Sequence, residues 1–318
     1  ELGESDVSLC FLPLSHIFER AWTYYLMVRG AVNVYLENPR KVIDTLKEVR
    51  PTVMCTVPRF FDKTHEGIFA EYRKWSPAKQ RIFDWSMRTG MERIRFESEG
   101  RALPFVLRMK DHLANLLVYR KLQHIFGGRI RYMPCAGAAI KKEILQFFHA
   151  ARLYINYGYG CTETTATVSC FRKNRFDFYT CGSVMPGVSV AIGPGEEILI
   201  KGQTVFRGYY RKPEETARAL KDGWYHSGDK GYLTGEDYLV MTDRIKDIFK
   251  TSGGKYISPQ SIELLAGQIS FVEQVMVIGD NRKYVTALIV PNLEHLRSLA
   301  AEWGLGGLSD SELVSHTR

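Results

Sequence analysis

The sequence predicts an α/β protein in three parts: a helix-covered, mostly parallel sheet subdomain, a small β-barrel-like subdomain, and part of a small C-terminal α+β domain. Three changes of texture carry the expectation. Short apolar runs alternate with helical patterns over residues 1–181, short strands between glycine turns occupy residues 182–244, and a new helix–strand–strand–helix pattern fills residues 245–318. Alternating strands and helices argue for parallel strands with helices on their faces. Closely spaced short strands with glycine turns argue for a small antiparallel barrel or sheet.

The elements follow in chain order. Val32-Asn-Val-Tyr-Leu36 is a strand, Pro39 opens a helix that runs to Val49, and Thr52-Val-Met-Cys-Thr56 is the next strand. Proline suits the first helical position and the position just past a helix end, which places Pro39 and Pro51 well. Residues 63–126 read as helical throughout, with breaks near Ser76-Pro77 and from Gly100 to Pro104, and form an insertion between two sheet strands. Ile130–Met133, a helix over Lys141–Ala150, and Leu153–Asn156 complete the first part. In the second, strands are expected at Val188–Ile192, Glu197–Lys201, Tyr232–Leu233 and Tyr238–Met241, with a short helix at Pro213–Leu220. In the third, a helix over Pro259–Gln268 precedes strands at Glu273–Gly279 and Tyr284–Val290, and another helix starts at Asn292.

At 318 residues and 45% apolar composition the chain can bury a substantial core in two domains or more. No apolar run approaches the roughly 20 residues of a membrane-spanning helix. The opening residues carry no basic run of the kind that starts a signal peptide. The six cysteines lie apart with no CxxC pair, so neither a zinc site nor a disulfide framework is expected, and a cytoplasmic protein fits. The net charge of +8 is concentrated: between Glu71 and Arg131 fourteen Lys or Arg face six acids. Aromatics at Trp75, Phe83, Trp85, Phe96 and Phe105 are interleaved with them. The preferred reading is amphipathic helices with aromatics packed inward and cations solvated. The competing one is a peripheral patch for anionic lipid at the inner membrane face. No nucleic-acid motif is present.

The chemistry sits in a few ordered stations. Asp222-Gly-Trp-Tyr-His-Ser-Gly-Asp-Lys-Gly231 is followed by Asp243-Arg-Ile-Lys-Asp-Ile-Phe-Lys-Thr-Ser-Gly-Gly-Lys-Tyr-Ile257. Upstream stand Leu12-Pro-Leu-Ser-His-Ile-Phe-Glu-Arg20, Pro134-Cys-Ala-Gly-Ala-Ala-Ile140 and Tyr157-Gly-Tyr-Gly-Cys-Thr-Glu-Thr164. An Asp on a glycine-flanked loop can accept both hydroxyls of a ribose, and an Arg a hairpin later can reach the same nucleotide with its fork of donors. In content and order these stations resemble the acyl-adenylate-forming (AMP-binding) superfamily, and within it the bacterial long-chain fatty acid:CoA ligases.

The resemblance implies the roles. Glu163 would hold Mg2+ on the ATP phosphates, with Thr162 offering a hydroxyl to the same phosphates. Tyr159 would stack on adenine, beside Tyr157 and Gly158 and opposite Gly137 and Ala138. Asp229 would accept the ribose hydroxyls and Arg244 would contact ribose or phosphate, with a plain salt-bridged pair as the structural alternative. Lys246 matches a hinge about which a small domain rotates, Lys250 a lysine that faces the site in the second orientation, and Gly253 and Gly254 a loop lining a pantetheine tunnel. His16 would gate the acyl pocket or serve as an ordinary core histidine, while Trp22, Tyr24 and Tyr25 are expected in the core.

The implied reaction activates a long-chain fatty acid with ATP to acyl-AMP and passes the acyl group to coenzyme A. An acyl-AMP ligase that loads a carrier protein and a non-catalytic nucleotide- or lipid-binding remnant are the alternatives. The glycine-rich phosphate loop expected ahead of Leu12 and the distal adenylation lysine are not found. The sequence is therefore expected to be a piece of a ligase roughly twice as long, with an incomplete, mobile C-terminal domain and no adenylation on its own.

Overall fold

A computed structural model describes residues 2–172, 175–235, 237–245, 247–267, 269 and 271–316. It falls into two units, Glu1–Ser227 with Gly231–Met241, and Gly228–Lys230 with Thr242–Arg318.

In the first unit, β1 (Val7–Cys10) and β2 (Val32–Tyr35) pair in parallel, and β3 (Met133–Cys135) and β4 (Ile155–Tyr159) do the same. The expected strand at Thr52–Thr56 is reduced to single bridges, Val53 to Ser8 and Tyr132, and Thr56 to Cys135. Pro51 and Pro58 close around this segment, which leaves little length for a regular ladder. β5 (Ser169–Cys170) and β6 (Ser183–Val184) extend the sheet antiparallel beyond β4.

Side-chain alternation along these segments separates the two faces. Leu9, Met54, Met133 and Ile155 share a core with Leu46, Phe61 and Phe148, whereas Val53 packs with Leu26, Trp22 and Tyr132. Accordingly α1 (Ile17–Val28) covers one face. The other carries α2 (Val42–Val49), α3 (Pro58–Arg73), α4 (Pro77–Ser98), α5 (Phe105–Ala114), α6 (Arg120–Ile125) and α7 (Lys142–Ala150). Proline stands at the first position of α3 and α4, and a π-helical turn, Asn115–Tyr119, joins α5 to α6. Gly90 lets α4 meet α7: a Cβ there would stand 2.4 Å from Ala150 O.

In the basic insertion Phe83 is buried and Trp75, Trp85 and Phe96 are half-buried, while Phe105 is 72% exposed. Arg93 departs from the solvated-cation reading, because its side chain is wholly buried.

The glycine-rich second texture forms β7 (Val188–Ile192), β8 (Glu197–Gly202), β9 (Leu220–Lys221), β10 (Trp224–Leu233) and β11 (Leu239–Arg244), with α8 (Pro213–Ala219). The strands run in the order β11-β10-β8-β7, with β9 on β10. This corrects the barrel-like expectation: the sheet is open. Five strands, one of only two residues, are too few and too short to tilt and close on themselves.

In the second unit β12 (Phe249–Lys250) pairs with β13 (Tyr256–Ile257). α9 (Pro259–Ala266) packs on a hairpin of β14 (Val272–Ile278) and β15 (Thr286–Pro291), followed by α10 (Leu293–Glu302) and α11 (Asp310–Ser315). Among the described residues no helix is long and apolar enough to cross a membrane.

Candidate functional site

β4 carries Tyr157, Gly158 and Tyr159 and runs directly into the loop from Gly160 to Thr167, and close backbone approaches set the shape of this segment. A Cβ at Gly158 would stand 2.4 Å from Ser169 O, and one at Gly160 only 1.4 Å from Ala166 O, so neither position admits a side chain. Thr165 (φ 52°) and Ala166 (φ 79°) occupy the left-handed region. Each such non-glycine residue costs about 1–3 kcal/mol and marks a backbone held for a purpose. Thr164, fully buried, closes the turn: its hydroxyl oxygen accepts from Cys161 N and lies 3.1 Å from Cys161 O.

On this loop Thr162 is exposed and Glu163 half-buried. Tyr209 donates its phenol to Glu163 Oε1 at 2.8 Å, and Phe206 N donates to Glu163 O at 2.7 Å. Burial, and then the bond to Glu163, push the Tyr209 phenol up to about 12, so it stays a donor across the working range. One carboxylate oxygen is thus fixed and the other keeps acceptor capacity. No cluster of three or more His, Cys, Asp or Glu able to hold a metal occurs among the described residues. A lone carboxylate still fits Mg2+, which is commonly held by one or two carboxylates together with substrate phosphates and water.

Tyr157 is half-buried with its hydroxyl 3.4 Å from Ala138 O, and burial drives its pKa well upward. Gly137 (φ 95°) gives the Pro134–Ile140 loop a left-handed turn with open space around it. Tyr159 is 7% exposed and lines a cavity of about 490 Å3 between α1 and this loop, together with Phe18, Ala21, Trp22 and Tyr25. Residues Thr165–Thr167 lie at the same cavity. Trp22 and Tyr25 therefore form a cavity wall rather than sealed core, and Tyr24 is 61% exposed. Trp22 is oriented by donating Nε1 to Ser8 Oγ at 3.0 Å. His16 is exposed and caps α1, its Nδ1 accepting from Phe18 N at 3.2 Å, and it is not among the residues lining that cavity.

The second unit holds the other stations. Asp229, 5% exposed, accepts from Arg244 Nε at 3.0 Å, and Arg244 Nη1 lies 3.8 Å from Asp247. Asp243 accepts from its own neighbour Arg244 N and from Ser258 Oγ, at 2.8 and 2.9 Å. The two other acids of the run thus fix the backbone and flank the guanidinium. Lys250 is exposed, with Nζ 5.3 Å from the Tyr256 ring, and Gly254 (φ 84°) turns the loop through a bond from its N to Thr251 O. Gly253 is exposed beside it. Lys246 lies outside the described residues.

Several of these features carry no signal in the sequence: Tyr209 as the partner of Glu163, the left-handed Thr165 and Ala166, and the α1 wall of the cavity. The YGYGCTE run does flag the loop they surround.

Residues 1–210 match the AMP-binding enzyme family. Among curated relatives, the chain is 33% identical to long chain acyl-CoA synthetase 1 of Arabidopsis thaliana, over 96% of its length and 48% of that protein. It is 33% identical to the long-chain-fatty-acid–CoA ligase FadD15 of Mycobacterium bovis, over 91% of its length and 48% of that protein. The chain thus spans about half the length of the curated relatives it matches. Among solved structures it resembles the adenylation domain of a carboxylate reductase from Mycobacterium chelonae, with TM-score 0.64 and 21% identity over 93% of this chain and 43% of that one. It also resembles an O-succinylbenzoate coenzyme A synthetase from Bacillus subtilis in complex with AMP, with TM-score 0.63 and 17% identity over 97% of this chain and 56% of that one. With the strained Tyr157–Ala166 loop and the Asp229–Arg244 pair in place, the match over residues 1–210 makes this chain a member of the AMP-binding enzyme family.

Proposed function

We propose that the protein activates a long-chain fatty acid with ATP, forming acyl-AMP and then acyl-coenzyme A. The observation that carries this reading is the apolar cavity of about 490 Å3, because it runs from the aromatic face of α1 to the strained Thr165–Ala166 backbone. An alkyl chain among Phe18, Trp22 and Tyr25 would bring its carboxylate toward the loop that bears Thr162 and Glu163. Long-chain relatives at 33% identity support the choice of acid.

The fatty carboxylate attacks the α-phosphorus in line and pyrophosphate leaves; the thiol of coenzyme A then displaces AMP from the mixed anhydride. Glu163 would hold Mg2+, which supplies charge neutralisation on the phosphates when bound. Tyr209 keeps the Glu163 carboxylate oriented, and Thr162 offers a hydroxyl to the same phosphates. Tyr157, Gly158, Tyr159, Gly137 and Ala138 form the adenine wall. Asp229 accepts the ribose hydroxyls, Arg244 binds ribose or phosphate, and Lys246, Lys250, Gly253 and Gly254 serve the thioester step.

The test is ATP-dependent acyl-hydroxamate formation by the whole protein over acids of increasing length. Yield should rise toward the long acids, and no hydroxamate with any acid would overturn the reading. A second measurement isolates the ribose assignment. Asp229→Asn keeps the shape of the side chain but removes its charge, and should weaken AMP binding by about 1–3 kcal/mol in calorimetric titration. Unchanged AMP affinity would remove Asp229 from the nucleotide site.

A further inference from the structure

The face of the sheet opposite α1 carries a second cavity, of about 600 Å3, between α2, α3, α4 and the π-turn leading into α6. It shares no lining residue with the cavity beside Tyr159. Its floor is aliphatic and aromatic: Ile43, Ile68, Phe83, Val118 and Leu122. Its cations are Lys47, Lys63, Lys79 and Lys121, and its one acid, Glu71, is already bonded to Lys74 at 2.7 Å. Lys79 Nζ sits 3.9 Å from the centre of the Trp75 ring, itself part of the lining.

We infer that this groove is a second lipid site, taking one long-chain fatty acid as its anion, with the chain on the apolar floor and the carboxylate among the lysines. Volume and chemistry both select that occupant. Small-molecule sites span about 300–1,000 Å3, so the groove has room for a single chain. The only hydroxyl in the lining, Thr64, is bonded to Phe60 O at 2.8 Å. An extended peptide would bring backbone polar groups that this floor leaves unpaired, whereas an alkyl chain brings none. Lysines are flexible point charges that can follow a carboxylate head at several depths; Lys47 also lies 4.0 Å from the exposed Asp44, and the lining stays net positive, which favours an anionic head.

Gly67 adds an independent mark. It lies in the middle of α3 and lines the groove, and a Cβ built on it meets nothing within 4 Å. Glycine inside a helix costs about 0.5–1 kcal/mol relative to alanine, and no close approach of backbone requires it here. What the missing side chain preserves is the open volume.

The inference does not depend on the proposed reaction and is tested without ATP. Cis-parinaric acid, whose fluorescence rises in apolar surroundings, is titrated into the protein. Gly67→Leu fills the groove and favours the helix, so it should remove the groove's share of binding, leaving at least about tenfold weaker affinity there, with unchanged circular dichroism. The triple variant Lys47→Glu, Lys79→Glu, Lys121→Glu should weaken the acid by about tenfold or more while leaving its methyl ester, which binds less tightly to the parent protein, unaffected. A titration indifferent to Gly67→Leu overturns the site. Equal affinity for acid and methyl ester overturns the anion, and capture by vesicles of anionic phospholipid with no uptake of the free acid overturns the fatty acid in favour of a membrane surface. Failure of hydroxamate formation would leave all three readouts standing, so the two readings fail separately.

Discussion

Arg93→Met should destabilise the first unit by about 3–5 kcal/mol, the usual cost of removing one partner from a buried ion pair. Arg93 is fully buried, and every arm of its guanidinium is engaged. Nε donates to Asp111 Oδ1 at 3.1 Å, Nη1 to Glu97 at 2.6 and 2.7 Å, and Nη2 to His149 O at 2.7 Å. Truncation leaves Asp111, 1% exposed, with Arg152 as its remaining cation, and leaves the end of α7 without its donors. Urea unfolding followed by the fluorescence of Trp75 and Trp85 measures the loss. Adding Asp111→Leu should recover part of it, since it removes the deeply buried carboxylate while Glu97 and Arg152, the other members of the network, are partly exposed and can turn to solvent. If the double variant is as unstable as the sum of the singles, the network is not the source of the stability. The site is coupled to this cluster through the chain: α7 ends at Ala150, and β4 begins five residues later and delivers Tyr157 and Tyr159.

Arg93 also shows where sequence reading stops. In the sequence it is one of fourteen cations in an amphipathic region, and helical spacing suits a solvated face. Its partner Asp111 lies eighteen residues on, on a different helix, and only the fold brings them together. The shape of the Tyr157–Thr164 run, by contrast, is legible in the sequence, because the constraint there is local: Gly158 and Gly160 stand where backbone meets backbone. The sequence places Trp22 and Tyr25 in the core because periodicity is blind to what a helix face meets. An aromatic stripe on a helix has one periodicity whether it faces packed side chains or an empty cavity. In the second texture the sequence places Val188–Ile192 and Glu197–Lys201 well, but the two-residue strand expected at Tyr232–Leu233 runs back to Trp224, so Asp229 stands in β10 and not on a loop; closure depends on how β7 and β11 pair, which spacing does not encode.

Glu19→Gln should remove one contribution to the pH dependence of stability between about pH 4.5 and 7, a contribution opposite in sign to that of His65 and His149, whose burial pushes them down to about 4. Glu19 sits on α1, fully buried, and neither carboxylate oxygen has a hydrogen-bond partner among the described residues. Burial drives its pKa from 4.5 up to about 7. The nearby Cys10 thiol, a weak donor directed to Leu12 O at 3.9 Å, acts in the opposite direction and does not outweigh burial. The titratable groups facing it give it no cation: the Cys10 thiol is itself pushed up to about 12 by burial and by Glu19, and burial likewise drives the Cys55 thiol well upward.

The sign follows from proton counting. Between 4.5 and 7 the folded state keeps a proton that the unfolded state has released, so stability is full below that window and falls as pH rises through it. At 1.36 kcal/mol per unit the window corresponds to about 3 kcal/mol lost by pH 8. Gln cannot ionise, so the change in urea-measured stability from pH 5 to pH 8 should be more favourable in Glu19→Gln than in the parent by about 2.5 kcal/mol. Parallel curves for the two proteins would show that Glu19 is already ionised in the fold. The consequence reaches the cavity. Phe18, Ala21 and Trp22 flank Glu19 on the same helix and line the space beside Tyr159, so the charge that forms above pH 7 appears on the helix against which the acyl chain is proposed to pack.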